Sequence, residues 1–350
     1  MRLSILDATP VPEGSSAVEA LRHSVELASL ADEAGYLRYW VTELHGSPMQ
    51  AGSTPEVAIA RVAAGTRRIR VGSGAVLLNH RSAFRTAETF GQLHAMFPGR
   101  IDLGMGRATA GPVIDAALQI HPTRPRVAVD HEDQIGAVLA WLDQGFPADH
   151  PFSAVSFMTG VDGRPEPWLL GSTRSSAVLA ARFGLRYAFA GFLNPPGAAP
   201  ALQAYREQFR PSGRPTGTPE PHSLLALNVA CADTETEARR LRASAELVYQ
   251  EAARGRRLPK VPSAETAVRE LGLPTETGYS GVLVVPTLSG TPERLRDLLE
   301  RIAADTGVDE LMIQDLIADP DARRHSYALL GQAFALVPAP IPAIRDDCHG

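Results

Sequence analysis

The sequence predicts an α/β fold, a TIM (β/α)8 barrel, on three observations. Eight short apolar runs alternate with helical patterns along 350 residues. The strands all read as parallel, and no composition shift marks a domain boundary between the units. The length suits one large barrel. A doubly wound sheet is the alternative, but it would not normally need eight such units. One barrel domain is therefore expected over residues 1–336, followed by a proline-rich tail over 337–350.

The elements follow in order. Leu3 to Leu6 is the first strand. Ser16 to Gly35 follows as an amphipathic helix, with Ser15 or Ser16 as N-cap, Glu19 three residues on and Gly35 as the closing glycine. Tyr39 to Val41 is the second strand. Thr54-Pro55-Glu56 opens a helix with proline in its first turn. Ile69 to Leu78 is the third strand, Ser82 to Met96 a helix, and Ile101 to Met105 the fourth strand. Residues Ala108 to Asp130 read as a long loop with a short helix at most. A helix over His131 to Trp141 precedes the fifth strand, Trp168 to Leu170. Then come a helix from Ser175 to Phe183, a strand from Tyr187 to Ala190 and a helix from Pro200 to Phe209. Leu224 to Ala230 is the seventh strand, and Thr234 to Ala253 a long helix. Arg254 to Val282 shows no core periodicity and is expected to be a loop, either a lid or a disordered insertion. Pro292 to Thr306 is a helix, Leu311 to Ile313 the eighth strand, and Asp321 to Phe334 the last helix.

Composition narrows the function. A net charge of −5 gives no footprint for nucleic acid or an anionic membrane surface. No apolar run reaches the roughly 20 residues that span a bilayer. The first residues lack the apolar core of a signal peptide, so a cytoplasmic protein is expected. Cys231 and Cys348 are far apart and match no metal spacing, so neither a disulfide framework nor a metal is expected. Of 34 basic residues only Lys260 is a lysine, which points to a GC-rich genome.

The most informative stretch is Pro98 to Arg107. A Pro-Gly turn leads into an apolar run that ends in Gly106 and Arg107. Ligands of α/β proteins bind at the C-terminal ends of parallel strands. Glycine there permits close approach to the backbone, and arginine matches a phosphate with forked donors. A second candidate anion site is Gly171-Ser172-Thr173-Arg174-Ser175-Ser176, between the fifth strand and its helix. A helix N-terminus offers free amides to a phosphate, and the hydroxyls add donors. An ordinary N-cap would need only one of them. Ser73-Gly74-Ala75 places a glycine inside the third strand, where a bulge or a ligand is expected.

Several segments in order resemble the bacterial-luciferase-like flavin-dependent monooxygenases. They are LSILDATPVPEGSS, GYLRYWVTELHGSP, IRVGSGAVLLNHRS, HAMFPGRIDLGMGRA, WLLGSTRSSAVLAARFGL and TGVDELMI. The resemblance runs from residue 3 to about 330. It implies a TIM barrel that uses reduced FMN, supplied by a separate flavin reductase, with dioxygen and a small organic substrate. It implies a homodimer paired through helices near the second and third units, here Pro55 to Ala64 and Thr86 to Met96 with Phe90, Leu93 and Met96. It assigns FMN binding to Arg107, Gly171, Ser172, Thr173 and Ser176. It also places a backbone bend, often a non-prolyl cis peptide, at Ser73, Gly74 and Ala75 under the flavin ring. Asn79 and His80 are candidates for lining the pocket.

One departure stands out. Many members read Glu-His-His after the second strand, whereas this chain reads Glu43-Leu44-His45. Leu44 cannot exchange a proton, which puts aldehyde-dependent light emission in doubt. Glu43 and His45 remain the catalytic candidates, with His45 alternatively a structural residue bonded near Glu43. The resemblance favours a two-component monooxygenase that hydroxylates, epoxidises or otherwise oxygenates its substrate, in keeping with natural-product or antibiotic biosynthesis. The alternatives are a deazaflavin-dependent hydride-transfer oxidoreductase and a non-catalytic flavin-binding protein.

Overall fold

The computed structural model describes residues 1–119, 130–276, 278–283 and 287–341. Eight parallel strands close a barrel. They are β1 (Arg2–Asp7), β2 (Arg38–Val41), β3 (Arg70–Ser73) with its continuation β4 (Val76–Leu77), β5 (Ile101–Gly106), β6 (Glu166–Gly171), β7 (Arg186–Ala190), β8 (Ser223–Cys231) and β10 (Glu310–Gln314). Closure comes from β10, which pairs with β1 on one side and β8 on the other. A further strand, β9 (Thr287–Gly290), had no counterpart in the sequence reading. It pairs with the last residues of β8 from Asn228 on, the residue that also closes the pairing of β8 with β10.

The helices expected from the sequence form where their end signals put them. In α1 (Ala17–Ala34) the capping box is made by Ser16 and Glu19, and Gly35 closes the helix at φ 91°. Thr234 caps α8 (Glu235–Ala253) and Asp319 caps α11 (Pro320–Ala333). The remaining helices are α2 (Pro55–Gly65), α3 (Ala83–Met96), α4 (Pro112–Ala117), α5 (His131–Asp143), α6 (Arg174–Phe183), α7 (Ala198–Gln208), α9 (Ala264–Leu271) and α10 (Pro292–Thr306). Most apolar burial lies between this outer ring and the strands. No described helix is long and apolar enough to cross a membrane.

Inside the barrel the side chains stack in layers, as strand alternation requires. The floor is charged. Arg38 reaches Glu310 at 2.9 Å, Asp102 at 2.9 Å and Glu166 at 3.0 Å. Burial disfavours the Arg38, Asp102 and Glu310 charges, but pairing with the arginines overrides it and holds the Asp102 and Glu310 carboxyls low. Above the floor sits an apolar layer that includes Leu6, Trp40, Trp168, Ala188, Leu224 and Met312. The two indoles meet edge to face, with ring centres 5.3 Å apart. These two layers fill the barrel from its N-terminal end, and ligand chemistry is left to the C-terminal mouth.

Two expectations need correction. The third strand is not continuous from Ile69 to Leu78. It breaks after Ser73 and resumes at Val76, and Leu78–His80 form a 3-10 turn. Nor is Arg254 to Val282 a structureless loop. It carries α9, whose Ala267 packs on Ala243 and Leu247 of α8. Val261 is also tied on both sides, its amide donating to the Val11 carbonyl and its carbonyl accepting from the Glu13 amide, each at 2.9 Å. Met49 in turn accepts from the Val11 amide at 2.8 Å. Segments following β1, β2 and α8 are therefore stitched into one cover beside the mouth. Of the loop expected over Ala108 to Asp130, the described part carries the short helix α4, and 120–129 lie outside the described residues. Of the tail, 342–350 lie outside them as well.

Candidate functional site at the barrel mouth

Every site residue expected from the sequence lies at or just beyond the C-terminal end of β2, β3, β4, β5 or β6. The fold therefore brings them to one rim. The break in the third strand organises this side. Gly72 pairs with Asp102 and Val76 with Met105, so three residues, Ser73 to Ala75, oppose two, Leu103 and Gly104. The Gly74–Ala75 peptide is cis, the bend expected from the resemblance. Glycines make room for it. A Cβ on Gly104 would stand 1.9 Å from the Ser73 carbonyl oxygen, and one on Gly106 would stand 2.9 Å from Ala75 Cβ.

Glu43 is buried at the end of β2 and fully engaged. It meets His45 Nε2 at 2.8 Å and accepts from the Leu77 amide at 3.2 Å and Arg81 Nη2 at 2.9 Å. Arg81 also pairs with Glu56 at the start of α2. Glu43 is thus a tie between β2, β4 and the turn that follows, and His45 is held by it. Arg81 had not been picked out from the sequence. Leu44 is partly buried, and its amide donates to the Gly52 carbonyl at 2.9 Å. Asn79 Nδ2 donates to the Ala108 carbonyl at 2.9 Å, and His80 Nε2 lies 3.5 Å from Asp115 of α4. These two residues brace the loop after β5.

The anion-binding candidates lie side by side. Met105 pairs with Leu169, and the register carries Arg107 alongside Gly171. Arg107 is exposed, and among the described residues no carboxylate pairs with it. Behind Gly171, Thr173 and Ser176 cap α6 reciprocally. Thr173 Oγ1 accepts from the Ser176 amide at 3.3 Å, and Ser176 Oγ accepts from the Thr173 amide at 3.4 Å. Their hydroxyls are used locally, so the donors turned outward are the Arg174 and Ser175 amides, which have no intrahelical acceptor. Gly171 is required by the same cap, since a Cβ there would stand 2.2 Å from Ser176 Oγ. An exposed cation beside a helix N-terminus suits a phosphate group.

The far side of the mouth carries polar groups that sequence reasoning missed. Asn228 on β8 and Gln314 on β10 are buried, and Asn228 Nδ2 donates to Tyr249 Oη of α8 at 2.7 Å. The signal was an amide inside the otherwise apolar run from Leu224 to Cys231. A separate cavity of about 410 Å³ opens outside the barrel wall, against α1, α8 and α9. None of the expected site residues lines it, and its Arg240 is already held by Glu237 and Glu265.

Comparison with known proteins agrees with this geometry. Residues 1–310 match the family model of luciferase-like monooxygenases. The chain is 35% identical to a luciferase-like monooxygenase of Escherichia coli (strain K12), over 93% of this chain and 95% of that one. It is 35% identical to an N-acetyl-S-alkylcysteine monooxygenase of Bacillus subtilis (strain 168), over 95% and 98%. The crystal structure of apo-MsnO8 superposes with a TM-score of 0.86 at 38% identity, covering 97% of this chain and 99% of the other. The chain belongs to the luciferase-like monooxygenase family, and it is an oxidoreductase.

Proposed function

We propose that this protein is the oxygenating component of a two-component, FMN-dependent monooxygenase. It would receive reduced FMN from a separate reductase and oxygenate a small organic substrate with dioxygen. The observation that carries this reading is Arg107, exposed and in register with Gly171 beside the N-terminus of α6. That pair of donors suits a terminal monophosphate, and no adenylate-binding motif accompanies it. Bound FMN would supply the activation of oxygen. The chain's own residues would anchor the phosphate at Arg107 and the Arg174 and Ser175 amides. They would seat the ring over Ser73 to Ala75 and exclude water with the cover around Val11, Met49 and Val261. His45, fixed by Glu43, is the titratable group on the β2 side of this chamber. Leu44 makes the same side apolar. Oxygenation at a thioether sulfur is a natural first assay, given the B. subtilis relative. A biosynthetic tailoring role fits the same chemistry.

The experiment is a fluorescence titration with FMN, FAD and a deazaflavin, followed by oxygen uptake with a flavin reductase present. FMN should bind most tightly, and Arg107→Ala should weaken it by about 1.5–3 kcal/mol, the range for a charge-assisted hydrogen bond. Preference for the deazaflavin would replace this reading with hydride transfer. FMN binding without oxygen uptake would leave a flavin-binding protein that does not turn over.

A further inference from the structure

Two buried amides stand at paired positions on the wall of the mouth. Asn228 and Gln314 are register partners on β8 and β10, 0% and 5% exposed. Both point into the barrel. Side chains alternate along a strand, and Ala226 and Met312, two positions earlier, belong to the interior layer with Trp40 and Trp168. Asn228 is fixed at one end by Tyr249. Among the described residues, Asn228 Oδ1 and Gln314 Oε1 have no hydrogen-bond partner. Buried polar atoms are normally satisfied, so each unmet one calls for an explanation. Two of them on adjacent strands, whose backbones run about 4.8 Å apart, can meet one small group.

Their position says which group. Around the ring, β8 lies four strands from β3 and β10 lies four strands from β5. The amides therefore face the bulge and the Arg107 side across the mouth. The rim cations Arg81 and Arg107 belong to that opposite side. Asp315, next to Gln314, turns outward to Arg323 at 2.9 Å. Among the described residues, no charged side chain bonds to either amide. A hydroxyl or an amide can donate and accept, so it satisfies them in either orientation. A carboxylate only accepts, and it would find no charge to pair with. A hydrocarbon would leave both oxygens unmet.

We propose that Asn228 and Gln314 select the substrate by hydrogen-bonding a neutral hydroxyl or amide group on it, with Tyr249 holding the Asn228 amide in place. The substrate class is then a polar, uncharged molecule, presented across the mouth from the flavin. This rests on the monooxygenase reading for its location. Tyr249 packs on the cluster that holds Val261 of the cover, as do Met49 and Leu258, so the cover and the selector share one packing unit.

The test uses the full-length protein, with and without FMN, and four probes of one skeleton: ethylbenzene, 2-phenylethanol, phenylacetamide and phenylacetate. Binding is read from the intrinsic fluorescence contributed by Trp40 and Trp168 below the mouth. The alcohol and the amide should bind about tenfold more tightly than the hydrocarbon and the carboxylate. Asn228→Leu and Gln314→Met should each abolish that preference while FMN affinity stays within twofold. Tyr249→Phe keeps the ring, removes only the hydroxyl and should reduce the preference in part, which guards against misfolding of the other two. Equal binding of all four probes, or binding of none, would overturn the proposal. So would a tenfold loss of FMN affinity in the variants, which would make the amides flavin ligands. Failure of the wild type to bind FMN would instead count against the monooxygenase reading, because the probe preference is read on the flavin-free protein too.

Discussion

Ser73 Oγ donates to the Gly104 carbonyl at 2.9 Å and accepts from the Gly104 amide at 3.0 Å. One hydroxyl thus replaces the backbone ladder where β3 pulls away from β5. At the bulge this side chain satisfies both backbone groups of Gly104, while the Gly74 amide donates to the Val41 carbonyl of β2 at 2.8 Å. Ser73→Ala should therefore cost about 1–3 kcal/mol, the range for leaving buried partners unmet. Gly104→Ala should cost more, because its Cβ would stand 1.9 Å from the Ser73 carbonyl oxygen and no flexible side chain can give way. Denaturant midpoints of the two variants would check both the loss and its order. A Ser73→Ala protein as stable as wild type would show that water replaces the hydroxyl.

The charged floor sets the behaviour in acid. Burial pushes the Glu310 carboxyl up, but Arg38, with His222 and Ser4, brings it down to about 2 from its ordinary 4.5. A depressed folded value means stability that is complete above the unfolded value and lost as pH falls toward the folded one. The loss should run from about pH 4.5 to about pH 2 and amount to about 3 kcal/mol for this group. Asp102, held low against burial by Arg70 and Arg38, adds in the same direction. Glu310→Gln should lower stability at neutral pH by about 3 kcal/mol and flatten the acid limb. Urea unfolding at a series of pH values measures both. An unchanged acid slope in Glu310→Gln would assign the acid sensitivity to other carboxylates.

A homodimer through α2 and α3 is expected from the family resemblance, and the structure narrows which residues could form it. Phe90 and Leu93 pack into the core, so they are not available as interface anchors. Val57 and Met96 remain, 69% and 57% exposed. Val57→Glu combined with Met96→Glu should halve the mass measured by light scattering at micromolar concentration without changing the circular dichroism. A monomeric wild type would remove the dimer altogether.

Much of the scaffold was legible because its signals are local. Ser16, Glu19 and Gly35 announce α1, Thr234 announces α8, and the apolar runs give the eight strands of the ring. The glycine at position 74 marked the bulge, although a one-residue register shift cannot be read from one strand. What failed to show depends on groups far apart in the chain. Arg38, Asp102, Glu166 and Glu310 each stand at the first or second position of a strand, and only closure of the barrel brings them together. The bond from Asn228 to Tyr249 joins a strand to the middle of a helix. The cover is held by backbone bonds at Val11 and Val261, which carry no side-chain signature. Strand β9 is four residues long and reads Thr-Leu-Ser-Gly, too short and too polar to stand out.

Leu44 provides the sharpest test of how this chain departs from the family pattern. It follows Glu43, which the fold ties to His45, Arg81 and the Leu77 amide, and it carries no exchangeable side-chain proton of its own. Leu44 itself is anchored through its amide to the Gly52 carbonyl, a bond that any side chain at this position preserves. Leu44→His should therefore fold normally, with less than about 1.5 kcal/mol lost from burying a more polar ring in a partly exposed place. If the position borders the flavin, the added imidazole restores a proton donor there. Less hydrogen peroxide should then be released per reduced FMN consumed when no substrate is present. The native reaction should not need the histidine, since the wild-type chain proceeds without it. An apolar Leu44 should also favour bulkier substrates, so Leu44→His should raise KM for the larger members of a substrate series while kcat for the smaller ones holds. Rapid mixing of reduced FMN with oxygen, followed by a peroxide assay on wild type and variant, is the measurement. Identical peroxide yields would place residue 44 away from the flavin, and the role that the family pattern implies for this position would not hold in this protein.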